Sequence, residues 1–418
     1  MRTSALVVIL ALAASQSLPA QLPSSLGTAA GLSGTAVTEA RRADAVLWNP
    51  ALVGVYDGPQ RTTSLLGLDA ALLPGGDGFE AAARLGLLSG RVEEERFGFL
   101  AGPMFWGSGS PEAAAQVRWA AVQSRDLAVS LDTRFAAHAE VPSGLAGELG
   151  VRGVEPEVWE AGPVSRSLTS VLSVARGAYL GELPVFGRAW AGVGVKGWWV
   201  HEFAAGSFQA DLPAAEVYRE TVLGNVGGLG VDAGVAGLAR GRLWYGLSLS
   251  NLYATSFRPG RGPRTRTVEA VPAADGGVEL TQTLGPEIRD DDPDADAVAR
   301  AGALWDETRF PTMLRAGLAW EGRWGTLAAA VSEQVGDGGL DPAGVEPRRS
   351  LAWHDSDRRV RVSYGWGDGR SVVAAAVSAG RCDRRWTAGL RRTSDAGYGL
   401  LLDLSLSDWS CNLHGQGR

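Results

Sequence analysis

The sequence predicts an all-β fold: a transmembrane, antiparallel, up-and-down β-barrel. Three observations carry that prediction. Apolar residues alternate with small or polar ones at a period of two through much of the 418-residue chain. The connections between the alternating segments are long at one end and short at the other. Glycine, at 57 of 418 residues, is about twice as common as usual, and many of the glycines fall within the strands.

The chain opens with Met1-Arg2-Thr3, an apolar run from Ala5 to Ala14, and Ser17-Leu18-Pro19-Ala20. One positive charge, a short apolar stretch and a small-residue site have the layout of a secretory signal peptide, so residues 1–20 are expected to be removed on export. No later apolar run reaches the roughly 18 residues a membrane-spanning helix needs. Mean hydropathy is −0.01, the average expected of an apolar belt plus polar loops.

The alternation then begins. Leu243, Tyr245, Leu247 and Leu249 alternate with Trp244, Gly246, Ser248 and Ser250, and Leu400, Leu402, Leu404 and Leu406 with Leu401, Asp403, Ser405 and Ser407. Successive side chains of a strand point to opposite faces, so one face is apolar throughout. The other face is small and sparsely charged, unlike the strongly polar outer face of a soluble sheet. An apolar face turned outwards around a crowded lumen is the pattern of a membrane barrel.

Segmentation on this pattern places strands near 62–73, 79–88, 93–103, 111–122, 125–137, 166–178, 186–200, 222–237, 241–252, 311–320, 323–334, 346–354, 358–366, 371–379, 383–391 and 397–409. That is sixteen. The long connections, 138–165, 201–221, 253–310 and 335–345, all follow odd-numbered strands and so share one rim. Gln123-Ser124, Glu321-Gly322-Arg323 and Asp355-Ser356-Asp357 turn the chain at the other. Outer-membrane barrels show this asymmetry, with external loops long and periplasmic turns short. Trp106, Trp199 and Trp366 fall near the long-loop rim, and Trp119, Trp320, Trp324, Trp386 and Trp409 near the short-turn rim, as two interfacial aromatic girdles would require.

The formal net charge of −7 and a pI near 5.3 exclude a nucleic-acid binder that relies on overall basic charge. Two cysteines exclude a disulfide-rich scaffold and a cysteine-based zinc cluster. Cys382 and Cys411 fall close together at the short-turn rim and are a candidate disulfide. Asp290, Asp291, Asp292, Asp294 and Asp296 crowd the largest loop. They read as a solvated acidic loop, with a weaker reading as hard-oxygen ligands for a cation beside lipopolysaccharide phosphates. Thr265–Leu284, in the same loop, reads as an external hairpin. Gly192-Val193-Gly194-Val195-Lys196-Gly197 has the form of a phosphate-binding loop, but Trp198-Trp199-Val200 continues as strand, so no helix N-terminus follows to hold phosphate. His138, His201, His354 and His414 lack metal-ligand spacing. The expectation is a protein that is not an enzyme and uses no cofactor.

The stretch Asp44-Ala45-Val46-Leu47-Trp48-Asn49-Pro50-Ala51 resembles the N-terminal hatch of the long-chain fatty-acid outer-membrane transporters (FadL-like). It is also similar to the related shuttle barrels of the type nine secretion system (PorV-like). Asp44, Ala45, Asn49, Pro50 and Ala51 match the motif, and Trp48 lies within it. The resemblance implies that residues 21–58 form a plug inside a barrel of residues 59–411, with a tail at 412–418. Asp44, Ala45, Trp48, Asn49, Pro50 and Ala51 are then the candidates for gating a ligand. It also implies fourteen strands rather than sixteen, and an outer-membrane site among lipid and lipopolysaccharide. Three functions fit: passive transport of hydrophobic small molecules, a shuttle or adaptor barrel for secreted or surface proteins, and a structural outer-membrane protein.

Overall fold

The computed structural model describes residues 35–40, 44–55, 61–73, 90–92, 112–139, 163–208, 216–257, 262–272, 278–289, 298–299, 301–302, 305, 308, 310–336, 348–356, 359–367, 370–381, 384–393 and 398–407. Two short helices come first, α1 (Ala36–Glu39) and α2 (Ala45–Trp48), followed by a 3-10 turn at Pro50–Gly54. The strands are β1 (Arg61–Leu73), β2 (Gly90–Val92), β3 (Glu112–Ser124), β4 (Leu127–Ala139), β5 (Pro163–Leu183), β6 (Gly187–Phe208), β7 (Glu216–Leu223), β8 (Val226–Ala239) and β9 (Leu243–Phe257). They continue as β10 (Arg264–Pro272), β11 (Val278–Glu287), β12 (Met313–Gly322), β13 (Gly325–Gln334), β14 (Arg349–His354), β15 (Val360–Gly367), β16 (Arg370–Arg381), β17 (Arg384–Thr393) and β18 (Tyr398–Ser407).

All pairings are antiparallel, and they close. From β1 the wall runs through β3, β4, β5, β6, β8, β9 and β12 to β18, which pairs back onto β1. Fourteen strands form this ring. Closure leaves no sheet edge in the wall, as a lipid environment requires. The sixteen segments read from the alternation therefore include two too many. Arg61 pairs with Ser124 and Leu73 with Glu112, so β1 and β3 lie side by side, and nothing from 79–88 or 93–103 stands between them. Both segments lie outside the described residues. Their alternation imitated a wall strand because period two reports a two-faced strand but not which sheet it joins.

The faces have the expected sense. In β9, Leu243 and Leu247 are exposed on the outside, while Trp244, Gly246, Ser248 and Ser250 are buried inside. Leu318, Leu327 and Leu351 point outwards on the following strands, and Ala319, Ala328 and Ala352 inwards. Trp320, Trp324 and Trp386 are exposed on the outer surface near the short-turn rim; Trp119, expected there as well, is exposed but stands further up the wall, five residues before the end of β3. At that rim, Arg125 (φ 53°) and Arg240 (φ 51°) with Gly241 (φ 70°) adopt the left-handed conformation that tight hairpins demand.

The long-loop rim carries more structure than loops. Upper β6 (Phe203–Phe208) pairs with β7, β7 with β10, β10 with β11, and β11 with β2. The hairpin expected at Thr265–Leu284 is β10–β11, and much of the loop expected at 201–221 is strand. Cys382, Cys411 and the aspartates 290, 291, 292, 294 and 296 lie outside the described residues, as do residues 1–34.

If the outer face meets lipid, Leu247→Arg should lower stability by about 2–4 kcal/mol. Leu247→Phe should leave it nearly unchanged. Equilibrium urea unfolding of the protein folded into vesicles measures both.

A plug clamped against the inner wall

Residues 35–40 and 44–55 lie inside the ring. Ala36, Ala45, Val46, Ala51, Leu52 and Val53 are all at 0–1% exposure, and they pack with Trp190, Ala236, Leu238, Trp244, Ala319 and Ala328 on the inward face of the wall. Turns this short cannot form alone in water, because one helical turn fixes several residues for a single hydrogen bond. The wall must hold them.

It does so through glycine. Gly177 on β5 pairs with Gly192 on β6, which pairs with Gly234 on β8; Gly246 on β9 pairs with Gly317 on β12. A Cβ on Gly177 or Gly192 would fall on the backbone of Gly54 or of Pro50–Ala51. One on Gly234 would strike the Asn49 amide, one on Gly246 the Val37 carbonyl, and one on Gly317 would lie 2.7 Å from Val37 Cγ1. The plug thus rests directly on five wall strands, by its backbone on β5, β6 and β9 and by the side chains of Asn49 and Val37 on β8 and β12. Glycine inside a strand ordinarily weakens it, and close approach of another backbone is the physical reason to place it there.

Asn49 joins three parts of the structure. Its Nδ2 donates to the Val37 carbonyl of α1 and to the Val235 carbonyl of β8, each at 3.1 Å. Its Oδ1 accepts from Ala51 N at 3.1 Å and so caps the 3-10 turn. Pro50, the first residue of that turn, has no N–H to satisfy. Asn49 N donates to the Ala45 carbonyl, closing α2.

Two buried charge clusters fix the plug laterally. Asp44 bonds Arg118 on β3, and Arg118 Nε donates to Asp132 on β4 at 3.2 Å. On another side, Arg361 of β15 pairs with Glu39, whose Oε1 also lies 3.0 Å from His354 Nε2 of β14. Thr35 bonds the same guanidinium. Burial alone would push the Glu39 carboxyl up, but Arg361 and His354 hold it well below the usual carboxylate range. This contribution to stability is present at neutral pH and lost only as pH falls through that lowered value. Trp48 lies under Arg315, whose guanidinium carbon is 5.3 Å from the ring centre, and Gln123 donates to the Val53 carbonyl at 2.9 Å.

Of the six residues singled out at 44–51, Asp44, Trp48, Asn49, Pro50 and Ala51 meet the wall directly, and Ala45 is buried in the cluster that plug and wall share. Their partners were missed. Arg118, Arg361 and His354 are polar residues at inward positions of otherwise small or apolar faces, and strand parity could have flagged them. A second group was also missed. At the long-loop end, Trp198, Val200, Phe203, Leu223, Val226 and Phe310 form an inward apolar cluster, with the Phe310 ring edge-on to Trp198 at 5.1 Å. Lys196 and Asp232 (2.9 Å apart) lie below it, between the cluster and the plug.

No family model matches the chain, and no curated protein matches it. Among solved structures it is similar to a TodX deletion-mutant monoaromatic hydrocarbon channel (11% identity, 87% of this chain, 93% of that one, TM-score 0.39). The CymD monoaromatic hydrocarbon channel is similar at 10% identity, 88% and 93% coverage and TM-score 0.41. A Pseudomonas aeruginosa FadL homologue, of the group that the hatch motif resembles, is similar at 10% identity, 94% and 99% coverage and TM-score 0.38. At TM-scores below 0.5 these likenesses add nothing to the barrel read from the chain's own pairing.

Arg118→Leu should destabilise the folded protein by about 3–5 kcal/mol, since it leaves Asp44 and Asp132 without their buried cation. Asn49→Ala should cost about 1–3 kcal/mol. Urea unfolding in vesicles compares both with the parent chain.

Proposed function

We infer that the protein is an outer-membrane channel through which hydrophobic small molecules pass without an energy source, with residues 35–55 as its hatch. One observation carries this reading. A barrel lumen is ordinarily polar, yet here an aromatic and aliphatic cluster around Trp198 and Phe310 faces inwards at the long-loop end. Apolar side chains inside the mouth of a barrel provide a place for an apolar solute to leave water. Beneath it the path meets Lys196–Asp232 and then the plug, so passage requires the plug to shift. The plug is tied by hydrogen bonds and ion pairs, which are directional and break over short displacements.

A second reading, a barrel that presents secreted or surface proteins, draws on the sheet that β7, β10, β11 and β2 build beyond the wall. The two readings separate on transport.

Vesicles with a lipopolysaccharide outer leaflet should take up a hydrophobic fluorescent dye several-fold faster with the protein than without it. Trp198→Arg should remove most of that gain. A correctly folded barrel that gives no gain would point to the presenting role. Deleting residues 21–58 should raise leakage of small polar solutes, and unchanged leakage would rule out a gating plug.

A further inference from the structure

The outer wall carries a polar track where lipid-facing side chains should be apolar. Trp119 Nε1 donates to Thr133 Oγ1 at 2.9 Å, Thr133 Oγ1 lies 3.1 Å from Ser170 Oγ, and Ser170 Oγ lies 2.8 Å from His201 Nε2. The four residues stand on β3, β4, β5 and β6, one per strand. Leu131, Leu168 and Leu172 flank them, all exposed on the same face.

Both ends of the track are made by irregular backbone. Arg118 pairs with Asp132 and Ala120 with Leu131, so Trp119 is an extra residue in β3. Leu168 pairs with Glu202 and Thr169 with Val200, so His201 is an extra residue in β6. A bulge re-aims a side chain that a regular strand would point elsewhere. Two bulges that deliver the two ends of one hydrogen-bond chain to one outer patch are hard to explain by wall construction alone.

The patch also lies at a boundary. Below His201, β6 presents Val193, Val195 and Trp199 outwards. Immediately above it, Glu202 turns to Arg266, with Arg266 Nη2 3.1 Å from Glu202 and Nη1 2.9 Å from Glu220. An apolar column capped by an interfacial tryptophan and then by ion pairs marks the level of lipid headgroups. Tryptophan can only donate. Thr133 Oγ1 accepts from Trp119; when the Ser170 hydroxyl in turn donates to His201 Nε2, the imidazole proton sits on Nδ1, which has no protein partner among the described residues and is free to donate at headgroup level.

We propose that Trp119, Thr133, Ser170 and His201 form a lipid-binding site on the outer wall. His201 donates to a phosphate oxygen of an anionic phospholipid, whose acyl chains lie along Leu131, Leu168 and Leu172. The site is separate from the lumen and does not depend on the channel reading.

Electron spin resonance of the full-length protein in phosphatidylcholine vesicles tests this, with chain-labelled phosphatidylglycerol as probe. The parent protein should prefer phosphatidylglycerol to phosphatidylcholine, whose phosphate is neutralised by its own trimethylammonium group, by roughly three- to tenfold, about the net worth of one hydrogen bond. His201→Leu and Ser170→Ala should bring the ratio close to one. His201→Gln, which keeps a donor, should retain most of it. Folding of each variant is checked by its shift in gel mobility on heating. An unchanged ratio in folded His201→Leu would overturn the proposal. So would a preference, lost in the same variants, for spin-labelled stearate alone, which would assign the site to a free amphiphile.

Discussion

The seat of the plug depends on a wall bare enough for close approach. Gly177, Gly192, Gly234, Gly246 and Gly317 leave the inner wall bare across β5, β6, β8, β9 and β12, and the Val37 carbonyl, Asn49, Pro50–Ala51 and Gly54 lie in the space that side chains would have filled. Two turns of helix and one 3-10 turn have little intrinsic stability. Seated on this belt, their polar groups come within reach of the wall, and Asn49 can bond α1 and β8 at once. One methyl group on Gly192 would separate them. Five of the wall glycines thus have a structural cause in the plug that they face.

The charges then decide where on the belt the plug sits. Arg118 between Asp44 and Asp132, and Glu39 between Arg361 and His354, are buried on different sides of the lumen. Buried ion pairs are poor sources of net stability, because both partners lose their water. What they provide is position: any displacement that separates one pair leaves a bare charge in a medium of low dielectric. A plug held this way has a defined seat and a short range of motion before its ties fail, which suits a hatch better than a permanent stopper packed only by apolar contacts. The apolar cluster at the long-loop end and the lipid-facing track extend the same logic, with residues that break the local pattern of their face marking places where something other than wall is handled.

Much of this was legible in the residues. Leu243, Leu247 and Leu318 show the outward face, and the tight hairpins at Arg125 and Arg240 fall where the connections are short. The Asn49-Pro50-Ala51 turn was recognisable because its capping chemistry is local. Three things were not legible. The segments 79–88 and 93–103 carry wall-like alternation, and only the direct pairing of β1 with β3 shows that no strand stands between those two. The partners of the plug, Arg118 and Arg361, lie 74 and 322 residues from Asp44 and Glu39, and nothing local connects them. The bulges at Trp119 and His201 reverse the face on which later residues of their strands lie. Phe203 therefore points inwards at a position that uninterrupted alternation would send out to lipid.

The seating of the plug can be tested in a single chain. With Cys382 and Cys411 replaced by serine, Val37→Cys and Gly317→Cys would place one sulfur on α1 against the inner face of β12, where a Cβ on residue 317 would lie 2.7 Å from Val37 Cγ1. Mild oxidation of the folded protein should form that bond nearly completely, measured as a loss of two hydrogens by intact-mass spectrometry. Free thiols at both positions in a folded barrel, open to a water-soluble maleimide, would contradict a plug seated on the glycine belt.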